Sequence, residues 1–266
     1  MKGKKLSRDK IIQTLVGVLE PLEYVHAFWE GGAAAFNRVD EWSDIDVYVV
    51  IDDGRVDAAF GVVEKTLKSL SPIRQKYSVP QPGWQGVHQA FYRLQDTNEH
   101  LIIDLAILEL SCPTKFLEPE IHGNNVFYFN KSEVVKFSPL DRDAFVEKIC
   151  ARVERLHTRS VMFNNFVQKE INRGNYLEAI DLYYNVTLAT LVEALRIKHN
   201  PFHYDFKMRY VHYELPQRLI EKLERLFFIK DKKAIYEKYR EASKWFNHVL
   251  REINRKRIES LVKDSK

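Results

Sequence analysis

Phe28 to Asp53 reads FWEGGAAAFNRVDEWSDIDVYVVIDD, and this stretch decides the fold: a Gly-Gly turn is joined to two carboxylates, Asp44 and Asp46, spaced i, i+2 on an apolar run. Successive side chains of a strand point to opposite faces, so Asp44 and Asp46 are expected on one face and Ile45, Val47 and Val49 on the other. The strand is expected to continue through Val47 to Ile51. Two acids that close repel each other and resist desolvation, and a hard divalent cation is the usual compensation.

A third acid lies further along. LIIDLAIL, Leu101 to Leu108, reads as an apolar strand interrupted only by Asp104. Beside the first strand, it would let three carboxylates hold two Mg²⁺ ions roughly 4 Å apart, an arrangement suited to in-line phosphoryl or nucleotidyl transfer. Upstream, Tyr24 to Trp29 reads as a strand, followed by Gly31 and Gly32 and then by Ala33, Ala34, Ala35 and Phe36, which favour a helix. Without Cβ atoms both glycines can take positive φ, and their N–H groups, with those of the new helix, can bind phosphate oxygens. Arg38 and Ser43 share this loop and are candidate phosphate contacts, although a surface arginine and a strand-entry serine are ordinary there. An Asp-x-Asp or a Gly-Gly alone usually marks no more than a turn; the joint order and the third acid carry the reading.

With these residues in place, the chain resembles the nucleotidyltransferase superfamily related to DNA polymerase beta, in particular its small-molecule branch typified by kanamycin and lincosamide nucleotidyltransferases. Gly31-Gly32, Asp44-Ile45-Asp46-Val47 and Asp104 occupy the places of that family's signature. There are two departures: Glu30 stands where an apolar residue usually precedes the glycines, and Gly32 where many adenylyl-transferring members have Ser. The second removes a hydroxyl contact to phosphate, and a Gly32→Ser change is expected to be tolerated because members carry Ser there. The resemblance implies that Asp44, Asp46 and Asp104 bind two Mg²⁺ ions, with Mn²⁺ as a substitute. It also implies that Asp104 assists deprotonation of the acceptor, that Gly31 and Gly32 secure the β and γ phosphates, and that ATP is the favoured donor. Antibiotic modification is one branch among several, and a homodimer is what relatives suggest.

Composition agrees with an enzyme of a reducing, cytoplasmic compartment. At 266 residues and 45% hydrophobic, the chain can bury one large core or two smaller ones. Two cysteines, Cys112 and Cys150, imply no disulfide framework, and no segment reads as a membrane span. A net charge of +4 suits an anionic nucleotide but argues little for nucleic acid. The basic, then apolar N-terminus has helical periodicity at Ile12, Leu15, Val16 and Leu19, which fits an amphipathic helix.

The expected fold class is α/β (α+β): a nucleotidyltransferase-like mixed β-sheet domain over residues 1–140, then an all-α helical bundle over 141–266. After Asp52-Asp53-Gly54 a helix is expected with Val56, Phe60, Val63, Leu67 and Leu70 on one face. Strands Ile73 to Val79 and Val87 to Leu94 are expected around a Pro80-Gln81-Pro82-Gly83 turn, and Asp96 to Glu99 turns into the Asp104 strand. In the second half, one long helix is expected to end at Asn172-Arg173-Gly174. A second should run from an Asn175 N-cap to Lys198 with Leu177 inward, and two more should follow Pro216. His199 to Tyr213, HNPFHYDFKMRYVHY, is dense in aromatic and basic residues, so Lys207 and Arg209 are candidate triphosphate contacts in a cleft wall, set against a packed connection with solvated charges. His199 and His203 have helical metal spacing, but Pro201 breaks the helix that would align them, and no site is read there.

The functional expectation is transfer of a nucleoside monophosphate from an NTP to a hydroxyl of a small-molecule acceptor, with release of pyrophosphate. Transfer to protein or to an RNA end, and a non-catalytic nucleotide-binding module, are the alternatives. The helical half disfavours the first, the weak basic signal the second, and retention of all three acids the third.

Overall fold

The computed structural model describes residues 5–80, 86–137 and 139–264. The chain divides into two compact units, Met1–Pro139 and Leu140–Lys266. Among the described residues no helix is long and apolar enough to cross a membrane.

The first unit is a six-stranded mixed sheet with helices. Its elements are α1 (Arg8–Leu19), β1 (Val25–Glu30), α2 (Gly32–Ala35), β2 (Ile45–Ile51), α3 (Val56–Leu70), β3 (Ile73–Ser78), β4 (Val87–Leu94), β5 (Ile103–Glu109), α4 (Pro119–His122) and β6 (Val126–Asn130). The strand order is β3-β4-β5-β2-β1-β6. Only β2 and β5 run parallel; every other neighbouring pair is antiparallel.

One face of this sheet is the main core. Ile45, Val47, Val49 and Ile51 of β2 join Ile103, Leu105 and Ile107 of β5 in one buried cluster with Ile11, Leu15 and Leu19 of α1 and Val63 and Leu67 of α3. Each such side chain contributes about 1.5–3 kcal/mol on full burial, so this face selects the register. The opposite face carries a second apolar cluster, in which Val50 and Leu108 at the far ends of the central strands meet Ala27, Trp29 and Cys112. Asp46 and Asp104 occupy its near end. A one-residue slip would drive both acids into the core, which is why the alternation decides their placement.

The expected helices and strands of this unit are present with ends shifted by up to about two residues, and β6, which had no sequence expectation, adds an edge by pairing with β1. Positions 81–83 of the expected Pro80 to Gly83 turn lie outside the described residues.

The second unit is all-helical, but more broken than its periodicity suggests. The expected long helix is two, α5 (Arg142–Phe163) and α6 (Asn165–Arg173). At the junction Asn164 keeps helical angles (φ −63°, ψ −29°), and its side chain donates to Ser243 Oγ and accepts from Thr187 Oγ1, both at 2.8 Å. Gly174 ends α6 in the left-handed conformation expected of it (φ 78°). The next helix also departs: α7 (Tyr176–Leu182) widens into a π-helical turn, Tyr183–Leu188, before α8 (Ala189–His199). Asn175 does not cap α7; its side chain donates to Glu170 Oε2 at 2.9 Å. Leu177, expected inward, is 88% exposed, because the buried stripe passes through Ala179 and Tyr183 and two residues place Leu177 on the opposite side. After the short α9 (Val211–Glu214) and Pro216 come three helices rather than two: α10 (Gln217–Phe227), α11 (Lys232–Glu252) and α12 (Arg255–Lys263). Asn254 restarts the last by accepting from the Arg257 amide at 2.9 Å.

Candidate functional site

β1 and β2 are antiparallel, so the end of β1 arrives where β2 begins. Glu30 pairs with Val47, and the Gly31 amide donates to the Asp46 carbonyl at 2.9 Å. This commits one of the two glycine amides expected to face phosphate to the sheet ladder. Gly32 and Ala33 open α2, where helix amides have no intrahelical acceptor. On the other side of β2, the parallel register sets Asp46 directly beside Asp104, with Tyr48 beside Ala106. Paired residues of neighbouring strands share a face, about 4.8 Å apart. The two carboxylates are therefore neighbours, and the Gly-Gly turn flanks them.

Gly32 touches Asp46 more closely than a turn requires. Its φ is +53°, and a Cβ built there would overlap the Asp46 carboxylate and lie 2.9 Å from the Asp46 Cβ. A Cβ on Gly31 would meet the Tyr48 ring at 2.8 Å. Two different contacts thus demand the two glycines. The expected tolerance of Gly32→Ser is corrected on this ground, since the serine Cβ would take the place of the acid.

Asp44 precedes β2 rather than lying in it. Its Oδ1 accepts from the Ile102 amide at 3.0 Å, tying the start of β2 to the start of β5, and its carbonyl accepts from Arg8. Asp104 Oδ1 accepts from Gln89 Nε2 of β4 at 2.7 Å. Among the described residues, no three His, Cys, Asp or Glu side chains are gathered as a metal-holding group. Asp46 and Asp104 line a cavity of about 370 Å³ together with Gln89, Tyr48, Val87 and Phe116, a size and mixed character typical of a ligand pocket.

Beneath the turn lies a buried ionic cluster that the sequence did not reveal. Glu30, 4% exposed, pairs with the Arg8 guanidinium from the first turn of α1 and accepts from the Tyr128 hydroxyl of β6 at 2.8 Å. Burial pulls the Arg8 pKa below its ordinary value, opposed by its neighbours Tyr128, Asp46, Asp9 and Asp44. Burial likewise raises the Tyr128 hydroxyl. Glu30 is thus a structural acid rather than a phosphate-facing one, and its partners lie on α1 and β6, too distant in sequence for any local pattern to find. Arg8→Met should cost about 3 kcal/mol in urea unfolding, because it leaves Glu30 buried without its cation. Adding Glu30→Gln should recover part of that loss; a single variant as stable as the wild type would show that the pair is not worth its burial.

The remaining candidates are placed as follows. Ser43 Oγ accepts from the Asp40 amide at 2.9 Å and donates to Asp40 Oδ1 at 2.7 Å, which closes the loop and holds the Asp40 carboxyl below its usual range. The Arg38 guanidinium lies over the Phe36 ring, 5.1 Å from its centroid. In the second unit, fully buried Arg196 donates to the Lys207 carbonyl at 2.7 Å, to the Arg209 carbonyl, and to Glu214 Oε2 at 2.6 Å. His203 meets Glu214 Oε1 at 2.8 Å. The backbone of the aromatic and basic segment is therefore a cradle for Arg196, while the Lys207 and Arg209 side chains are exposed.

No family model and no curated protein matches the chain. Among solved structures it is similar to an aminoglycoside 6-adenyltransferase from Bacillus subtilis, at 12% identity over 97% of both chains and a TM-score of 0.36. It is also similar to a spectinomycin adenyltransferase from Enterococcus faecialis with ATP and spectinomycin, at 10% identity over 95% of this chain and 99% of that one, TM-score 0.36. These likenesses are remote, and the chemistry of the site stands on its own residues.

Proposed function

We propose that the chain is a metal-dependent nucleotidyltransferase that moves NMP, with ATP as the favoured donor, to a hydroxyl of a small-molecule acceptor. The observation that carries this reading is the register that sets Asp46 beside Asp104 while the Gly31-Gly32 turn closes against Asp46. Asp46 and Asp104 would hold the cation through carboxylate oxygens, which fits Mg²⁺, and the third acid of the signature, Asp44, is tied by its Oδ1 to the Ile102 amide at the start of β5. A divalent cation held there supplies positive charge to the phosphates.

The protein's own residues divide the remaining work. Gly32 and Ala33 amides at the start of α2 bind the β and γ phosphates. The acceptor oxygen attacks the α-phosphorus, the bond to the bridging oxygen of the β-phosphate breaks, and pyrophosphate leaves with that electron pair. Asp104 takes the hydroxyl proton, held toward the reacting oxygen by Gln89. The apolar walls from Val87 and Phe116 reduce access of water to the α-phosphate.

The reading is tested by incubating the protein with each NTP, Mg²⁺ and a metabolite extract and searching by mass spectrometry for a nucleotidylated product. Pyrophosphate release that requires both metal and extract is the expected result. Its absence with every NTP, in protein that also fails to bind Mn²⁺ by paramagnetic resonance, removes the proposal. Arg38 is proposed as a further charge toward the triphosphate.

A further inference from the structure

The row that holds the two acids does not end with them. Asp46 of β2 pairs with Asp104 of β5, Asp104 with Phe91 of β4, and Phe91 with Tyr77 of β3. Four neighbouring strands therefore present, on one face and at successive strand spacings, acid, acid, aromatic, aromatic. That this is the face of the acids follows from β4 itself, whose alternate residues Ala90, Tyr92 and Leu94 are buried in the opposite core.

The two rings are arranged as a surface rather than as core. Phe91 and Tyr77 stack with centroids 6.1 Å apart and planes 30° from each other, and Tyr77 is 60% exposed. A second cavity of about 380 Å³ opens over them, edged by Ile102, Gln75 and Arg93. Phe91 pairs with Asp104, which lines the acid cavity, so the row itself joins the platform to the acids. At about 4.8 Å per strand, Tyr77 lies roughly 10 Å from Asp104, the reach of a small ring system with one linking group. Exposed stacked aromatics of this kind gain by covering a flat ring, and the gain does not depend on its hydrogen-bonding pattern.

The geometry points to a ring-stacking subsite: Tyr77 and Phe91 form the platform for a flat ring of a substrate whose reacting end lies at Asp104. Its placement at the reacting end rests on the nucleotidyl-transfer reading. The triphosphate turn lies across Asp46 on the β1 side, so the platform is on the side away from the β and γ phosphates. The ring is either the nucleobase of the donor or a ring of the acceptor, and binding measurements separate the two.

The probes are MgATP, magnesium tripolyphosphate and adenosine, titrated by calorimetry into the full chain. The double variant Tyr77→Leu with Phe91→Leu should lose about tenfold in affinity for a ring-bearing probe and keep its affinity for tripolyphosphate. If ATP and adenosine both weaken, the platform takes the nucleobase; if adenosine alone weakens, it takes the acceptor ring. Tyr77→Phe and Phe91→Tyr, which keep both rings, should bind as the wild type does, and a comparable loss in either overturns stacking. Unchanged affinity for both ring-bearing probes in the double variant, or no binding of either by the wild type, also overturns the subsite. A wild type that binds adenosine through this pair but shows no metal-dependent tripolyphosphate binding would retain the platform and lose the nucleotidyltransferase reading.

Discussion

Asp46→Asn lowers pyrophosphate release by at least about 10³-fold, the rate equivalent of roughly 4 kcal/mol, while leaving the fold in place. The amide keeps the shape of the side chain and the backbone carbonyl that receives the Gly31 amide, so the sheet ladder survives. What is lost is one of two adjacent negative charges on the β2–β5 pair, and with it the affinity for a hard cation. Asp104→Asn is expected to behave alike, because its Oδ1 can still accept from Gln89. The measurement is turnover with saturating NTP beside Mn²⁺ affinity and a thermal unfolding curve. Turnover within tenfold of the wild type in either variant, with the melting temperature unchanged, would take the reaction away from these acids.

Gly32→Ser lowers transfer by about 100-fold and destabilises the chain by about 1–3 kcal/mol, although the resemblance alone led to the opposite expectation. The conformational part arises because an L residue at φ +53° costs about 1–2 kcal/mol. The functional part is steric, since the new Cβ competes with the Asp46 carboxylate for the same space. Gly54→Ala separates the two: Gly54 has φ +77° and no heavy atom within 4 Å of its would-be Cβ, so that variant should lose about 1 kcal/mol and retain full transfer. Calorimetric stability and turnover are measured on both. Wild-type turnover in Gly32→Ser would mean that Asp46 can move aside without consequence for catalysis.

What the sequence determined by itself was whatever depends on short spacing. The alternation of Asp46 with Ile45 and Val47, the lone Asp104 in an apolar run and the Gly-Gly turn were enough to place two acids on the sheet face opposite the main core, because period two and the cost of burying charge leave no other register. The helical second half was legible for the same reason, through the 3.6 periodicity of its apolar residues. Its cross-links were not: Asn164 meets Ser243 and Thr187, far off in sequence, and Leu177 fell outside the buried stripe that passes through Ala179 and Tyr183.

Only the tertiary structure decided how the site is assembled. Nothing local to Glu30 shows that Arg8 and Tyr128 hold it, nor does Gly32 reveal that its missing side chain is the space occupied by the Asp46 carboxylate. The row from Asp46 through Asp104 and Phe91 to Tyr77 likewise exists only once four strands have found their order and register. Local sequence sets which face a residue takes; long-range pairing sets which residues become neighbours on that face.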